Sequence, residues 1–295
     1  LHLSIPRPEF QDNWMSPLIF SAVLFAAVLH ATWNALIKVS GDRLVVMAVT
    51  TAFTSMLVFP LLFILPFPAQ PSWIFLALSA LVHTFYLLLL VKAYGYGDFA
   101  QVYPLARGSA PLLTSILGFL FLSEAMDASE IFGMLLIVSG IFALAFQRRD
   151  GKLQLSRPAL FYSLMTGVFI SAYSLVDGVG ARLSENSLSF TAWMFFFDGF
   201  ALPVTAYFRR PKELLRSNIK EVWKSGILVA LLSLVGYAII VWAFSLERIA
   251  PVSILRETSV MFALLISIFI LKEGFSKLRT LIVFLILSGI VLMGI

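Results

Sequence analysis

The sequence predicts an all-α integral membrane protein: ten transmembrane helices arranged as two inverted five-helix repeats. Three observations carry this. Of 295 residues, 60% are apolar and 13% are charged, with a mean hydropathy of +0.95; soluble domains carry about a quarter charged residues. Ten apolar runs of roughly twenty residues, the length that crosses hydrocarbon, lie near 17–39, 44–65, 73–95, 100–122, 130–147, 159–181, 189–208, 225–245, 250–271 and 277–295. Finally, the stretch from Gln101 to Gly140 returns from Pro251 to Gly289. At an offset of 149, Arg107 falls on Arg256, Glu124 on Glu273, and Ser139-Gly140-Ile141 on Ser288-Gly289-Ile290. Just upstream the offset is 150, with Ala93 on Ala243, Ala100 on Ala250 and Val102 on Val252, so a single-residue gap reconciles the two. A period of half the chain marks duplication of a whole unit rather than a solenoid. Five helices is an odd number, so the second unit enters the membrane inverted, a common transporter plan.

The expected boundaries are a polar N-terminal extension (1–16), a first repeat (17–147), a connecting loop (148–158) and a second repeat (159–295). Leu1 to Trp14 is polar and proline-bearing, and Met15-Ser16-Pro17 looks like a natural start. The apolar run after Pro17 is too long for the core of a signal peptide and lacks a small-residue cleavage site. Orientation follows from Lys and Arg. Of 21 such residues, 16 fall in the odd-numbered connections and three (Arg7, Arg182, Arg248) on the opposite side. That bias places the odd connections in the cytoplasm and both termini outside, in the cell inner (plasma) membrane. The net charge of +5 therefore reflects membrane orientation and not nucleic-acid binding.

Taken in order, the first helix carries His30 and Trp33-Asn34 and ends at Lys38. The third carries His83 and Tyr86 and closes on Tyr94-Gly95-Tyr96-Gly97-Asp98, a tight turn. In the fourth, Pro104 and Pro111 bracket Arg107-Gly108; proline inside a helix frees a carbonyl and bends it. The sixth holds Tyr173-Ser174, matching the place of Trp33-Asn34, and then Asp177. The seventh holds Asp198 within WMFFFDGFALP. The ninth opens at Pro251 and carries Arg256-Glu257 about one and a half turns in. Gly133, Gly140 and Gly289, with other small residues, read as close helix packing in lipid.

A charge at the bilayer centre costs about 2.5–3.5 kcal/mol on insertion scales. Arg107, Arg256, Glu257, Asp177, Asp198, His30 and His83 are therefore candidates for a substrate or proton pathway. Each also has a structural reading: the arginines could satisfy carbonyls freed at Pro104 and Pro251 or pair with an acid, the histidines could be satisfied in the interior, and Asp177 could be interfacial. Glu124 and Glu273 end their helices and read as caps or ion pairs at the membrane surface. Trp33, Tyr86, Tyr103, Tyr173, Tyr237 and Trp242 lie too deep for an interfacial belt and need partners or a cavity for their polar tips. Aromatics with cations suit a small anionic or zwitterionic organic solute.

The repeated block resembles the EamA-like branch of the drug/metabolite transporter superfamily. The carrying features are the apolar runs ending in Leu-Ser-Glu124 and Leu-Lys-Glu273, each followed by a helix closing on Ser-Gly, together with PLARGSAP and LRETS. The resemblance implies a basket of helices 1–4 and 6–9 around a cavity, with helices 5 and 10 peripheral. It implies that Trp33, Asn34, Tyr86, Tyr103, Arg107, Tyr173, Asp177, Tyr237, Arg256 and Glu257 line the cavity and bind substrate. Independently of the resemblance, the cost of charge in lipid makes Asp177, Asp198, His30 and His83 the proton-coupling candidates. The expected function is secondary active transport of a small organic solute, an amino acid or other anionic or zwitterionic metabolite, by alternating access in the export direction. A passive channel, a lipid-linked sugar translocator and a cationic drug efflux protein are the alternatives. There is no HExxH motif and no Walker glycine loop. The absence of cysteine rules out thiolate metal sites and a cysteine nucleophile. Neither an enzyme nor a cofactor is expected. The expected partners are the small-molecule substrate and the lipid bilayer. One chain holds both halves of the repeat, so a functional monomer is expected.

Overall fold

The computed structural model describes residues 15–97, 99–146, 155–270 and 277–294. Its helices are α1 (Pro17–Val39), α2 (Arg43–Val58), α3 (Trp73–Tyr96), α4 (Phe99–Leu117), α5 (Ala128–Ala145), α6 (Arg157–Leu183), α7 (Ser187–Arg209), α8 (Lys212–Leu246), α9 in two pieces (Ile249–Arg256 and Ser259–Phe269) and α10 (Lys277–Gly294). Among the described residues nine helical segments are long and apolar enough to cross a membrane, and α10 is a shorter apolar helix. Large apolar side chains such as Phe63, Phe119 and Phe208 point outward, as lipid permits. Residues 1–14 and Glu273 lie outside the described residues.

The sequence writes the helix starts plainly. Ser16 caps α1, with Pro17 in its first turn. Asp42 accepts from the amides of Leu44 and Val45. Asp127 and Glu130 form a reciprocal capping box on α5, and Asn186 caps α7. These side chains satisfy amides that a helix leaves unpaired at its N-terminus.

The repeat symmetry is visible in the packing. α1 packs on α8 and α9, and the mates of those pairs, α6 on α3 and α4, are also present. α2 packs on α7, and α5 on α10. A Cβ added to Gly133 would lie 2.8 Å from the carbonyl oxygen of Gly289, and one added to Gly289 would lie 2.6 Å from that of Gly133. The repeat carries that crossing onto Gly140 and Ile282, where a Gly140 Cβ would stand 3.4 Å from the Ile282 carbonyl oxygen. The Gly133–Gly289 approach leaves no room for a side chain, which is how helices adhere where lipid offers no hydrophobic driving force.

One expectation is revised. α4 runs unbroken through Pro104 and Pro111 and only then loosens into a π turn at Gly118–Leu122. The break comes instead in α9, at Glu257-Thr258. There the amides of Glu257, Thr258, Val260 and Met261 bond to carbonyls three residues back, and the Thr258 hydroxyl takes the Leu255 carbonyl at 2.7 Å. This tight 3₁₀ geometry within a helix is a recurrent mark of a hinge.

The two ends of the bundle are closed differently. At one, Glu124 pairs with Arg182 at 2.8 Å and accepts the Ile249 amide at 2.8 Å, capping α9. Arg248 grips Glu130 with two contacts of 2.5 and 2.9 Å. Both ion pairs join the two halves. At the other end an apolar cluster of Ile37, Leu44, Val45, Met47, Leu90, Leu202 and Val222 fills the gap between α1, α2, α3, α7 and α8. Arg210 braces it through a two-pronged bond to Asp42 at 2.5 and 3.1 Å.

Two tests follow from this packing. Gly133→Leu should cost about 1–3 kcal/mol by overpacking, read as a lower unfolding midpoint in detergent; Gly140→Ala should be milder, because its neighbours stand further off. The Arg210 guanidinium and the α2 amides hold the Asp42 carboxyl below its ordinary value. A depressed folded-state pKa gives stability that is present above the unfolded value near 4 and is lost as pH falls through the lower folded value. Wild type should therefore exceed Asp42→Asn by at most about 1 kcal/mol at neutral pH, and the gap should close in midpoints measured toward pH 3.

Candidate substrate cavity

Between the halves lies a cavity of about 130 Å³, walled by α1, α2, α3, α6, α7, α8 and α9. The anticipated residues His30, Trp33, His83, Tyr86, Tyr173, Asp198, Tyr237 and Arg256 are on its wall. α4 contributes none, so the basket is narrower than the eight helices expected. Five anticipated residues stand off the wall: Asn34, Tyr103, Arg107, Asp177 and Glu257. Asn34 bonds back to the His30 carbonyl of its own helix at 2.7 Å. Tyr103 is buried in the core shared by α4, α5, α9 and α10. Trp242 lies on an outer apolar groove with Leu61 and Leu188. Asp177 is fully buried rather than interfacial.

The charged groups form two clusters. In the first, Arg107 Nε lies 2.6 Å from Glu257 Oε2, and Arg256 Nη2 lies 3.4 Å from Glu257 Oε1. Arg256 also reaches Ser174 Oγ at 3.3 Å and stands 5.6 Å from the Tyr173 ring. Two guanidiniums thus share one carboxylate. The repeat explains the imbalance: at the offset of 149 the mate of Glu257 is Gly108, so the arginine is duplicated and its anion is not. Arg107 is consumed by Glu257, while Arg256 presents its surplus charge to the cavity.

In the second cluster His83 sits between two acids. Its Nε2 is 3.7 Å from Asp177 Oδ2 and its Nδ1 is 3.6 Å from Asp198 Oδ2, with Ser79 Oγ at 3.1 Å from Nδ1. Tyr237 donates to Asp177 at 2.5 Å. A neutral imidazole has one N–H, so one ring nitrogen confronts a carboxylate without a hydrogen unless the cluster takes up a proton. His83 belongs to the first half, and Asp177 and Asp198 to the second. Tyr173 separates the clusters, stacking on His83 at 4.4 Å and edging Tyr86 at 5.3 Å. The His30 ring meets the Trp33 edge at 4.7 Å and lies within electrostatic reach of Arg107 and Arg256.

Sequence reasoning missed Thr50, Thr51, Thr54, Phe195 and Ser233, which also line the cavity. The signal was slight. Three threonines in one turn of an apolar helix are unremarkable because each hydroxyl can bond to a backbone carbonyl, as that of Thr54 does to Thr50. Only the position of α2 against α8 turns them inward.

A family model, the EamA-like transporter family, matches residues 16–146 and 157–295. Among solved structures, one described only as a crystal structure of a protein aligns with a TM-score of 0.72 at 15% identity, covering 93% of this chain and 94% of that one. At that identity the likeness establishes the fold alone. No curated protein matches.

Removing one partner of a buried pair leaves a charge uncompensated, at about 3–5 kcal/mol. Glu257→Gln should therefore lower the unfolding midpoint more than Arg107→Met does. The double variant should fall short of the sum by at least about 1 kcal/mol. Additive losses would mean that the two side chains do not interact.

Proposed function

The chain belongs to the EamA-like transporter family, whose members are membrane transporters of small solutes rather than enzymes, and from that premise we propose that it exports a small zwitterionic organic solute with an apolar or aromatic body. Free amino acids are the nearest class. The observation that carries the reading is the two-ended cavity. Arg256 offers a cation to the solute's carboxylate, Asp198 offers a carboxylate to its ammonium group, and both line the cavity. Tyr86, Tyr173, Phe195, Tyr237 and Trp33 supply flat apolar surface between them.

Charge balance supports coupling to protons. Arg107, Arg256, Glu257, Asp177 and Asp198 sum to −1 with both cavity histidines neutral, and one proton on the His83 cluster brings the interior to zero. An unbalanced charge in a low-dielectric interior is disfavoured. A proton and the ammonium group of the solute thus compete for Asp198, so that loading one expels the other. The two repeats, 17–147 and 159–295, would rock about the cavity, with the ionic end opening in one phase and the apolar end in the other. The odd-numbered connections would face the cytoplasm of the inner membrane, and a single chain would suffice.

A second reading, efflux of organic cations, draws on Asp198 alone among the aromatics. One thermal-shift panel separates the two, since a ligand that binds the folded state raises its stability. Aromatic amino acids should stabilise wild type by several degrees and should not stabilise Arg256→Ala. In proteoliposomes Asp198→Asn should abolish accumulation driven by a pH gradient. Stabilisation by organic cations only, unchanged in Arg256→Ala, would overturn the zwitterion reading.

A further inference from the structure

α8 is 35 residues long. At 1.5 Å per residue this is about 52 Å, well beyond the roughly 30 Å of a hydrocarbon core. Its C-terminal end is anchored where Arg182 holds the Phe244 and Glu247 carbonyls. The excess therefore falls at the N-terminal end, from Lys212 to about Ser225. One face of this overhang docks on α2 through Leu215 and Val222, which pack in the apolar end cluster. The exposed flank beside that contact presents Lys212, Arg216, Lys220 and Lys224, one every fourth residue.

That spacing sets the cations in a single stripe along the helix. Membrane orientation alone requires basic residues in this connection, but it does not require them in register. The first three line one surface groove with Tyr207, Ile219 and a single acid, Glu213. Among the described residues no carboxylate lies within ion-pairing distance of Lys212, Arg216 or Lys220, whereas nearby Arg210 is spent on Asp42. Lys212 stands 6.0 Å from the Tyr207 ring. Tyr207, Phe208, Ile219 and Trp223 are exposed beside the stripe, which gives it the apolar and aromatic border of a membrane interface.

We propose that this groove binds the headgroup of an anionic phospholipid, with Lys212, Arg216 and Lys220 on the phosphate and Tyr207 and Phe208, at the end of α7, against the upper acyl chains. Basic clusters just outside a membrane helix attract anionic headgroups. A lipid held here would bridge the α7–α8 corner, which carries Arg210 and through it the Asp42 brace of the apolar end.

The test uses the full chain purified in neutral detergent. Its unfolding midpoint is followed while phosphatidylglycerol, phosphatidylcholine or inorganic phosphate is added. Phosphatidylglycerol near one hundred times its Kd should raise the midpoint by roughly 5 °C, less at high salt, and phosphatidylcholine should not. Lys212→Gln/Arg216→Gln/Lys220→Gln should lose the rise, and Lys212→Arg/Arg216→Lys/Lys220→Arg should keep it. The charge-preserving variant shows that loss is not misfolding, and none of these residues touches the cavity. An equal rise with phosphatidylcholine, or in the glutamine variant, would overturn the proposal. An equal rise with inorganic phosphate would also overturn it, leaving a simple anion site.

Discussion

The carboxylate of Glu257 is the constraint on which the centre of this protein depends. Two guanidiniums buried in a bilayer-spanning bundle would be untenable unpaired, and Glu257 is the acid placed to meet both. It sits at the tightened turn that divides α9, and the turn is held by backbone bonds three residues apart and by the Thr258 hydroxyl. A regular helix would rotate the residues beyond it onto other faces. Electrostatics at Glu257 and the geometry of the break are thus one feature, tying α4 to α9 across the two repeats.

From that pairing the cavity acquires its polarity. Arg107 and Arg256 are equals in the repeat, but with Gly108 standing opposite Glu257 the symmetry cannot be complete. One arginine neutralises the acid and the other faces open space. At the far side of Tyr173 the surplus has the opposite sign, two acids around His83. The duplication supplied a symmetric frame, and a few unmatched residues made its interior directional.

The ends of the bundle show a comparable division. One is fastened by ion pairs and a capped helix, and the other by packed aliphatic side chains with a single ionic brace. Both join first-half to second-half elements. Ionic contacts tolerate water when they part, and aliphatic ones resist it.

The sequence by itself determined the class, the helix count, the duplication and the residues that had to be explained. Apolar run length, lysine and arginine placement and the 149-residue offset are local or periodic properties, and lipid leaves a chain few ways to satisfy its backbone. It also identified Glu124 as a cap and ion-pair partner, though the side chain is buried rather than at the surface. It did not distinguish Arg256 from Arg107, place Asp177 in the interior, remove Asn34 and Tyr103 from the cavity wall, or find the threonines of α2. Those outcomes depend on which face each helix turns to its neighbours. In a uniformly apolar helix the hydrophobic pattern carries no such information, because lipid and protein interior are equally apolar. Only the tertiary packing, set by close approaches such as Gly133 on Gly289 and by the break in α9, decided them.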